Sequence, residues 1–488
     1  MSSLLGLTAH ELQGLLKKKE ISSTDLVKEH LTKIKTVDDK IKALVTVTEK
    51  EALEQAQKVD EQRMRGDELS PLAGIPMALT DNICTSGIRT TCASRVLENF
   101  VPPYSATVTE KLQREDAVLL GKCNLDEFGL GATTENSAFF ATHNPRDLQA
   151  VPGGACGGAA AAVAAEEVAF SLGSDTGGSL RQPASFCGVI GLKPTYGYVS
   201  RYGVIPCASS LDQVGCLTRD MMDCALVMNA ISGHDPLDST SLSGKAPDFT
   251  EFLINDVQGL KIGLPKEYLR GGLAPEILAS VQQAAAKLEE LGAHCEEVSL
   301  PHHEAVLAAY QIIAAAEASS NLARYDGVRY GLRVEGEDMD ALFKKTRSQG
   351  FGAEVKKRII LGTYVLSSEQ YAAYYLKALK VRTLIKKDLA RVFQDYDCLL
   401  IPTTPTVAFN FAEKQKQVLT GNLDIFTSPA NLAGIPALSL PWGTVQGRPV
   451  GLQLLGRAFG EETLLRVGYT LEQNTELTRL RLKGKGVS

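Results

Sequence analysis

Between Gly153 and Arg181 two glycine-rich turns flank one short apolar segment. The stretch reads Gly153-Gly154-Ala155-Cys156-Gly157-Gly158-Ala159, then an alanine-rich run, then Ser174-Asp175-Thr176-Gly177-Gly178-Ser179-Leu180-Arg181. Glycine tolerates positive φ and lets a backbone come close to a bound group. The second turn sets successive backbone N–H groups beside the Ser179 hydroxyl. Acyl transfer needs that combination, a nucleophile next to donors for a developing oxyanion. By spacing alone, the same glycines also fit two tight turns closing a helix–strand unit.

The surrounding pattern constrains the scaffold. Short apolar runs at 74–79, 117–121, 168–172, 260–265, 398–401, 437–440 and 449–455 read as strands, and helical periodicity separates many of them. Such alternation predicts an α/β sheet with crossover connections, with functional residues at strand ends. Residues 1–66 read as an N-terminal helical layer, 67–475 as a single large α/β body, and 476–488 as a basic C-terminal tail. The chain has 488 residues, 44% of them hydrophobic, enough for a large core. A formal net charge of −6 argues against a chain that grips nucleic acid by itself. The ten cysteines are scattered without Cys-x-x-Cys spacing, which predicts reduced, mostly buried thiols and no zinc or other metal site. No run of eighteen apolar residues and no signal-peptide pattern is visible, so the expectation is a cytoplasmic protein without a membrane span.

The stretch from Gly153 to Arg181 resembles the signature of the amidase signature family. The continuation 182–188 (Gln-Pro-Ala-Ser-Phe-Cys-Gly) and the segment 191–197 (Gly-Leu-Lys-Pro-Thr-Tyr-Gly) fit as well. The resemblance runs from about residue 5 to residue 475. It implies a large mixed β-sheet core covered by helices on both faces, and a Ser-cisSer-Lys triad. The acyl-forming serine falls on Ser179. The cis-serine position is Ala155, and the lysine position, in the upstream segment 72–82, is Thr80. The oxyanion hole falls on Thr176, Gly177 and Gly178.

Within that family the chain looks closest to the A subunits of glutamyl-tRNA(Gln)/aspartyl-tRNA(Asn) amidotransferases. Segments 134–138 (Thr-Glu-Asn-Ser-Ala), 209–215 (Ser-Ser-Leu-Asp-Gln-Val-Gly), 317–327 and 424–434 carry that likeness. It implies glutamine as substrate, with Tyr310, Arg358 and Asp424 as its contacts. A guanidinium could fork onto the α-carboxylate, a carboxylate could take the α-ammonium, and a phenol could donate a hydrogen bond. It also implies B and C subunits as partners. ATP and magnesium would belong to the B subunit, tRNA would be met only through it, and this chain would carry no cofactor.

Serine is a poor nucleophile without an adjacent base. Thr80 carries no basic nitrogen and Ala155 no oxygen to pass a proton. General-base help is worth about 10²–10⁴-fold, so turnover through the usual triad is expected to be severely impaired. Cys156, Asp81 and His143 are candidates for a substitute base. Three readings stay open: a partnered member of the A-subunit lineage with residual or rerouted activity, a pseudoenzyme that binds a ligand or holds a complex, and a stand-alone amidase with another base and substrate.

Overall fold

The computed structural model describes residues 4–270, 273–413 and 423–476. The basic tail expected from residue 476 lies, beyond that first residue, outside the described residues. The strands are β1 (Leu44–Val47), β2 (Pro76–Thr80), β3 (Val118–Cys123), β4 (Phe170–Asp175), β5 (Ile190–Lys193), β6 (Gln213–Thr218), β7 (Lys261–Pro265), β8 (His294–Val298), β9 (Cys398–Pro402), β10 (Ala437–Val445) and β11 (Arg448–Gly456). They form one sheet in the order β1-β3-β2-β4-β6-β5-β10-β11-β9-β7-β8. Parallel pairs sit toward both ends, β3-β2-β4 and β9-β7-β8, and antiparallel pairs fill the middle. The sheet is therefore mixed, as the resemblance implies.

Side-chain alternation decides which helices cover which face. On β2, Met77 and Leu79 join one buried cluster, and Ala78 between them joins another. On β9, Leu400 belongs to the first cluster, while Leu399 and Ile401 face the other side. The first cluster draws in helices Ala9–Lys17, Thr107–Arg114, Met221–Ile231, Pro275–Glu290 and Glu461–Asn474. The opposite face is covered in two parts. Helices Ser23–Ile41, Glu49–Arg65, Gly157–Ala164 and Arg181–Cys187 cover one end. Helices Val306–Asn321, Tyr375–Val392 and Ser428–Ala433 cover the other. The glycine-rich turns lie where these two groups meet.

Residues 4–66 fold mainly as helices, and the strand-like piece read at 43–47 supplies β1, which pairs antiparallel with β3 at the sheet edge. Strands β5, β6 and β8 have no clear sequence signal. β8 reads His-Cys-Glu-Glu-Val, too polar to stand out, and its position comes from parallel pairing with β7. The β10–β11 hairpin turns through Gln446 and Gly447, both at positive φ (52° and 82°), the two-residue geometry that matches strand twist.

Candidate active site

The turn that follows β4 is built around one carboxylate. Asp175 is fully buried, and Arg181 forks onto it, with Nε and a terminal nitrogen each 2.9 Å from an oxygen. Asn431 Nδ2 adds a hydrogen bond at 3.0 Å. Burial opposes ionisation, but Arg181, Lys193 and Asn431 outweigh it and hold Asp175 below the usual carboxylate range. Arg181 is satisfied in turn by Thr427 O at 2.9 Å, Gln453 Oε1 at 2.5 Å and Asn431 Oδ1 at 2.6 Å. A buried pair held by this many hydrogen bonds fixes a single turn geometry.

That geometry corrects one expectation. Gly178 is not free as an oxyanion donor, because its N–H is committed to Asp175 Oδ1 at 2.9 Å. No hydrogen bond among the described residues uses the N–H of Thr176, Gly177 or Ser179. The Thr176 hydroxyl donates to Asp212 Oδ1 at 2.7 Å, a fixing point with no clear sequence signal. Two glycines are required by close neighbours. A Cβ on Gly177 would lie 2.2 Å from Tyr310 Cζ, and one on Gly178 would lie 2.1 Å from Thr427 Oγ1.

Ser179 follows, with 8% of its surface exposed. Among the described residues no hydrogen bond engages its hydroxyl. Its carbonyl accepts the Cys156 N–H at 3.0 Å, which brings the two glycine-rich turns together. Thr80 ends β2, beside β4, and its hydroxyl donates to Leu172 O at 2.9 Å. Cys156 Sγ donates to Ser174 O at 3.1 Å. Both polar side chains on this side are thus tied to carbonyls of β4. Ala155 presents only a methyl group, and the peptide bonds of the described residues are all trans.

Among the described residues none of the three candidate substitutes is hydrogen-bonded to the Ser179 hydroxyl. Burial pushes the Cys156 thiol up to about 12, against the pull of Ser174 and Thr80, so it stays protonated near neutral pH. Asp81 accepts from the Thr91 hydroxyl and sits 3.6 Å from Lys122 Nζ in a fully buried pair. His143 is brought elsewhere: its Nδ1 meets Leu148 O at 2.7 Å and its ring packs edge-on to Phe411 at 4.8 Å.

On the other side of the turn the three remaining candidates converge. Tyr310, on helix Val306–Asn321, lies on Gly177. Arg358, on helix Ala353–Leu366, holds Glu354 at 2.8 Å through Nε. Burial works against its charge, but Glu354, Tyr310 and Asp424 raise its pKa. Asp424 accepts Gln182 Nε2 at 2.7 Å, and Gln182 also reaches Thr427 Oγ1 at 3.3 Å. Burial pushes Asp424 up to about 6, against Gln182 and Arg358. Arg358 is near enough to Tyr310 and Asp424 to feel the charge of each, and Tyr310 to feel that of Asp424. Gln182 is a link with no sequence signal of its own, although it stands next to Arg181 in the glycine-rich motif.

Beyond Asp212 a cleft of about 630 Å³ opens, lined by Tyr104, Tyr202, Tyr325, Tyr330 and Arg201 among others. On the opposite face of the sheet, His10, Asp220 and Asp223 could offer metal ligands. Asp223 already accepts the N–H groups of Ala9 and His10, and Asp220 caps its own helix.

A serine beside unengaged backbone N–H groups, on a turn at the end of a strand in a mixed sheet, is an arrangement suited to acyl transfer. The chain belongs to the Amidase family, whose profile matches residues 25–465. It is 60% identical over 476 residues to the A subunit of a glutamyl-tRNA(Gln) amidotransferase from Moorella thermoacetica, covering 97% of this chain and 98% of the relative. The crystal structure of the corresponding protein from Thermotoga maritima matches with a TM-score of 0.80 and 41% identity, over 96% of this chain and 95% of that one. A bacterial aryl acylamidase of the amidase signature family matches with a TM-score of 0.86 and 28% identity, over 97% of each chain.

Proposed function

We propose that this chain is an A-subunit-type member of the glutamyl-tRNA(Gln) amidotransferase lineage that binds glutamine but has lost turnover through the family triad. One observation carries the reading: among the described residues, the Ser179 hydroxyl has no proton acceptor. Thr80 and Cys156, the polar residues at or beside the relay positions, donate to Leu172 O and Ser174 O instead. Thr80 and Ala155 stand where the family resemblance calls for a lysine and a serine.

The rest of the pocket supports ligand binding. The N–H groups of Thr176 and Gly177 are unengaged and suit an amide oxygen. Arg358 suits an α-carboxylate, Asp424 an α-ammonium, and Tyr310 a further polar group. An amide without an amino-acid head would not need that trio, which weighs against a stand-alone amidase. B and C subunits are the partners in this reading. ATP and magnesium would act on the B subunit, tRNA would be met through it, and the assembly would work in the cytoplasm. No helix among the described residues is long and apolar enough to cross a membrane.

The test is calorimetric titration with L-glutamine, run beside an ammonia-release assay with and without B and C subunits. Binding without release is the expected outcome. Ammonia release by the native chain, alone or in the complex, would refute the loss of turnover. An absence of binding would refute the clamp.

A further inference from the structure

We propose that Glu127 is a positioning residue for the clamp: its carboxylate fixes the start of the helix that carries Arg358, and so sets how the chain grips an α-carboxylate. The inference rests on the clamp reading above.

Glu127 is 2% exposed. Its Oε2 accepts the Gly352 N–H at 2.8 Å, and its Oε1 accepts the Ser94 hydroxyl. Gly352 is the N-cap of helix Ala353–Leu366 and has no side chain to cap it. The first N–H groups of a helix lack partners within it, and its N-terminus favours negative charge. Glu127 answers the first need from a distant part of the chain; burial pushes its carboxyl up to about 7, so it meets the second only in part near neutral pH. Glycine at 352 is what lets it in, since a Cβ there would lie 2.5 Å from Oε2. A second contact reinforces the first. Phe128 holds a left-handed φ of 52°, uncommon for an aromatic residue, and packs on Phe351, the residue before Gly352, at 5.8 Å between rings.

The same helix is held sideways by different atoms. A Cβ on Gly362 would lie 2.0 Å from Ala315 O, so the helix presses its backbone against helix Val306–Asn321, which carries Tyr310. That contact sets the spacing between the helices. Glu127 sets the position along the axis, about one and a half turns ahead of Arg358. Its neighbour Asp126 points the other way: the Asp126 N–H donates to Ala155 O at 2.9 Å. Its carboxylate accepts the N–H groups of Thr134 and Asn136. The dipeptide Asp126-Glu127 therefore joins the turn of Ala155 to the helix of Arg358.

The experiment compares L-glutamine with L-glutaminamide, whose α-carboxamide gives Arg358 no carboxylate. Binding to the full chain is measured by calorimetry for the native protein, Glu127→Ala, Glu127→Gln, Ser94→Ala and Arg358→Ala, with thermal melts run alongside. Glu127→Ala is expected to weaken glutamine about tenfold while leaving glutaminamide unchanged. Glu127→Gln keeps an acceptor oxygen and should retain most of the preference. Ser94→Ala should lower it slightly in the same direction, and stands in should Glu127→Ala fail to fold. Combining Glu127→Ala with Arg358→Ala should bind no more weakly than Arg358→Ala alone.

Equal loss of both ligands in Glu127→Ala would mark a merely structural role and overturn the proposal. So would an unchanged preference in every folded Glu127 and Ser94 variant. A native chain that binds neither ligand would overturn the clamp reading first, and this proposal with it.

Discussion

The two sides of the Asp175 turn differ in what their polar groups face. On the strand side, Thr80 and Cys156 donate to β4 carbonyls and Ala155 offers a methyl group. On the helix side, Tyr310 lies on Gly177, Asp424 accepts Gln182 Nε2, and Arg358 is close enough to both Tyr310 and Asp424 to feel their charge. Under the proposed function, a relay and a clamp built by different elements are separable. The relay positions come from the end of β2 and the loop before helix Gly157–Ala164. The clamp comes from two long helices and the segment around Asp424. In the proposed reading only the Asp175–Arg181 turn is common to both, which would let substitutions accumulate on the strand side while the ligand pocket persists.

The largest effect is expected from breaking what the two sides share. Asp175→Ala leaves the buried Arg181 guanidinium without its carboxylate, which costs about 3–5 kcal/mol. Urea unfolding should show that loss, and glutamine binding should go with it. Arg358→Ala strikes the helix side alone. It should weaken L-glutamine about 10–100-fold in calorimetry, the worth of a charge-assisted hydrogen bond, with little change in unfolding midpoint.

A pH series tests the same side without mutation. Asp424 is pushed up to about 6, by burial first, against Gln182 and Arg358. Below that pH it is protonated and cannot pair with an ammonium group. Affinity for L-glutamine should hold above about pH 7 and fall by up to tenfold per pH unit below about 6. Thr80→Val sharpens the contrast from the strand side. It removes one buried hydroxyl–carbonyl bond, about 1 kcal/mol of stability, and should leave glutamine affinity unchanged. A large change in affinity would mean the two sides are not separable.

Part of this is legible in the residues. The glycine-rich turns follow from their motif, and strands such as β2, β4 and β9 from short apolar runs. Other features depend on which way a side chain turns, or on atoms far apart in sequence. Gly178 reads as an oxyanion donor because nothing local reveals that Asp175 Oδ1 takes its N–H. His143 stands ten residues before the glycine turn yet packs against Phe411, since the chain reverses between them. Cys156 is next to the vacant position in sequence, but its thiol turns to Ser174 O. Asp212 and Gln182 act through partners that sequence spacing cannot pair, and Glu127 through a glycine 225 residues away.

The most direct measurement is ammonia release from L-glutamine by the native chain beside the double variant Thr80→Lys, Ala155→Ser, each with and without B and C subunits. Under the proposed function the native chain is silent and the double variant releases ammonia, since the two substitutions restore the relay beside an unchanged turn and clamp. Turnover by the native chain would contradict that function, since Ser179 would then have a base.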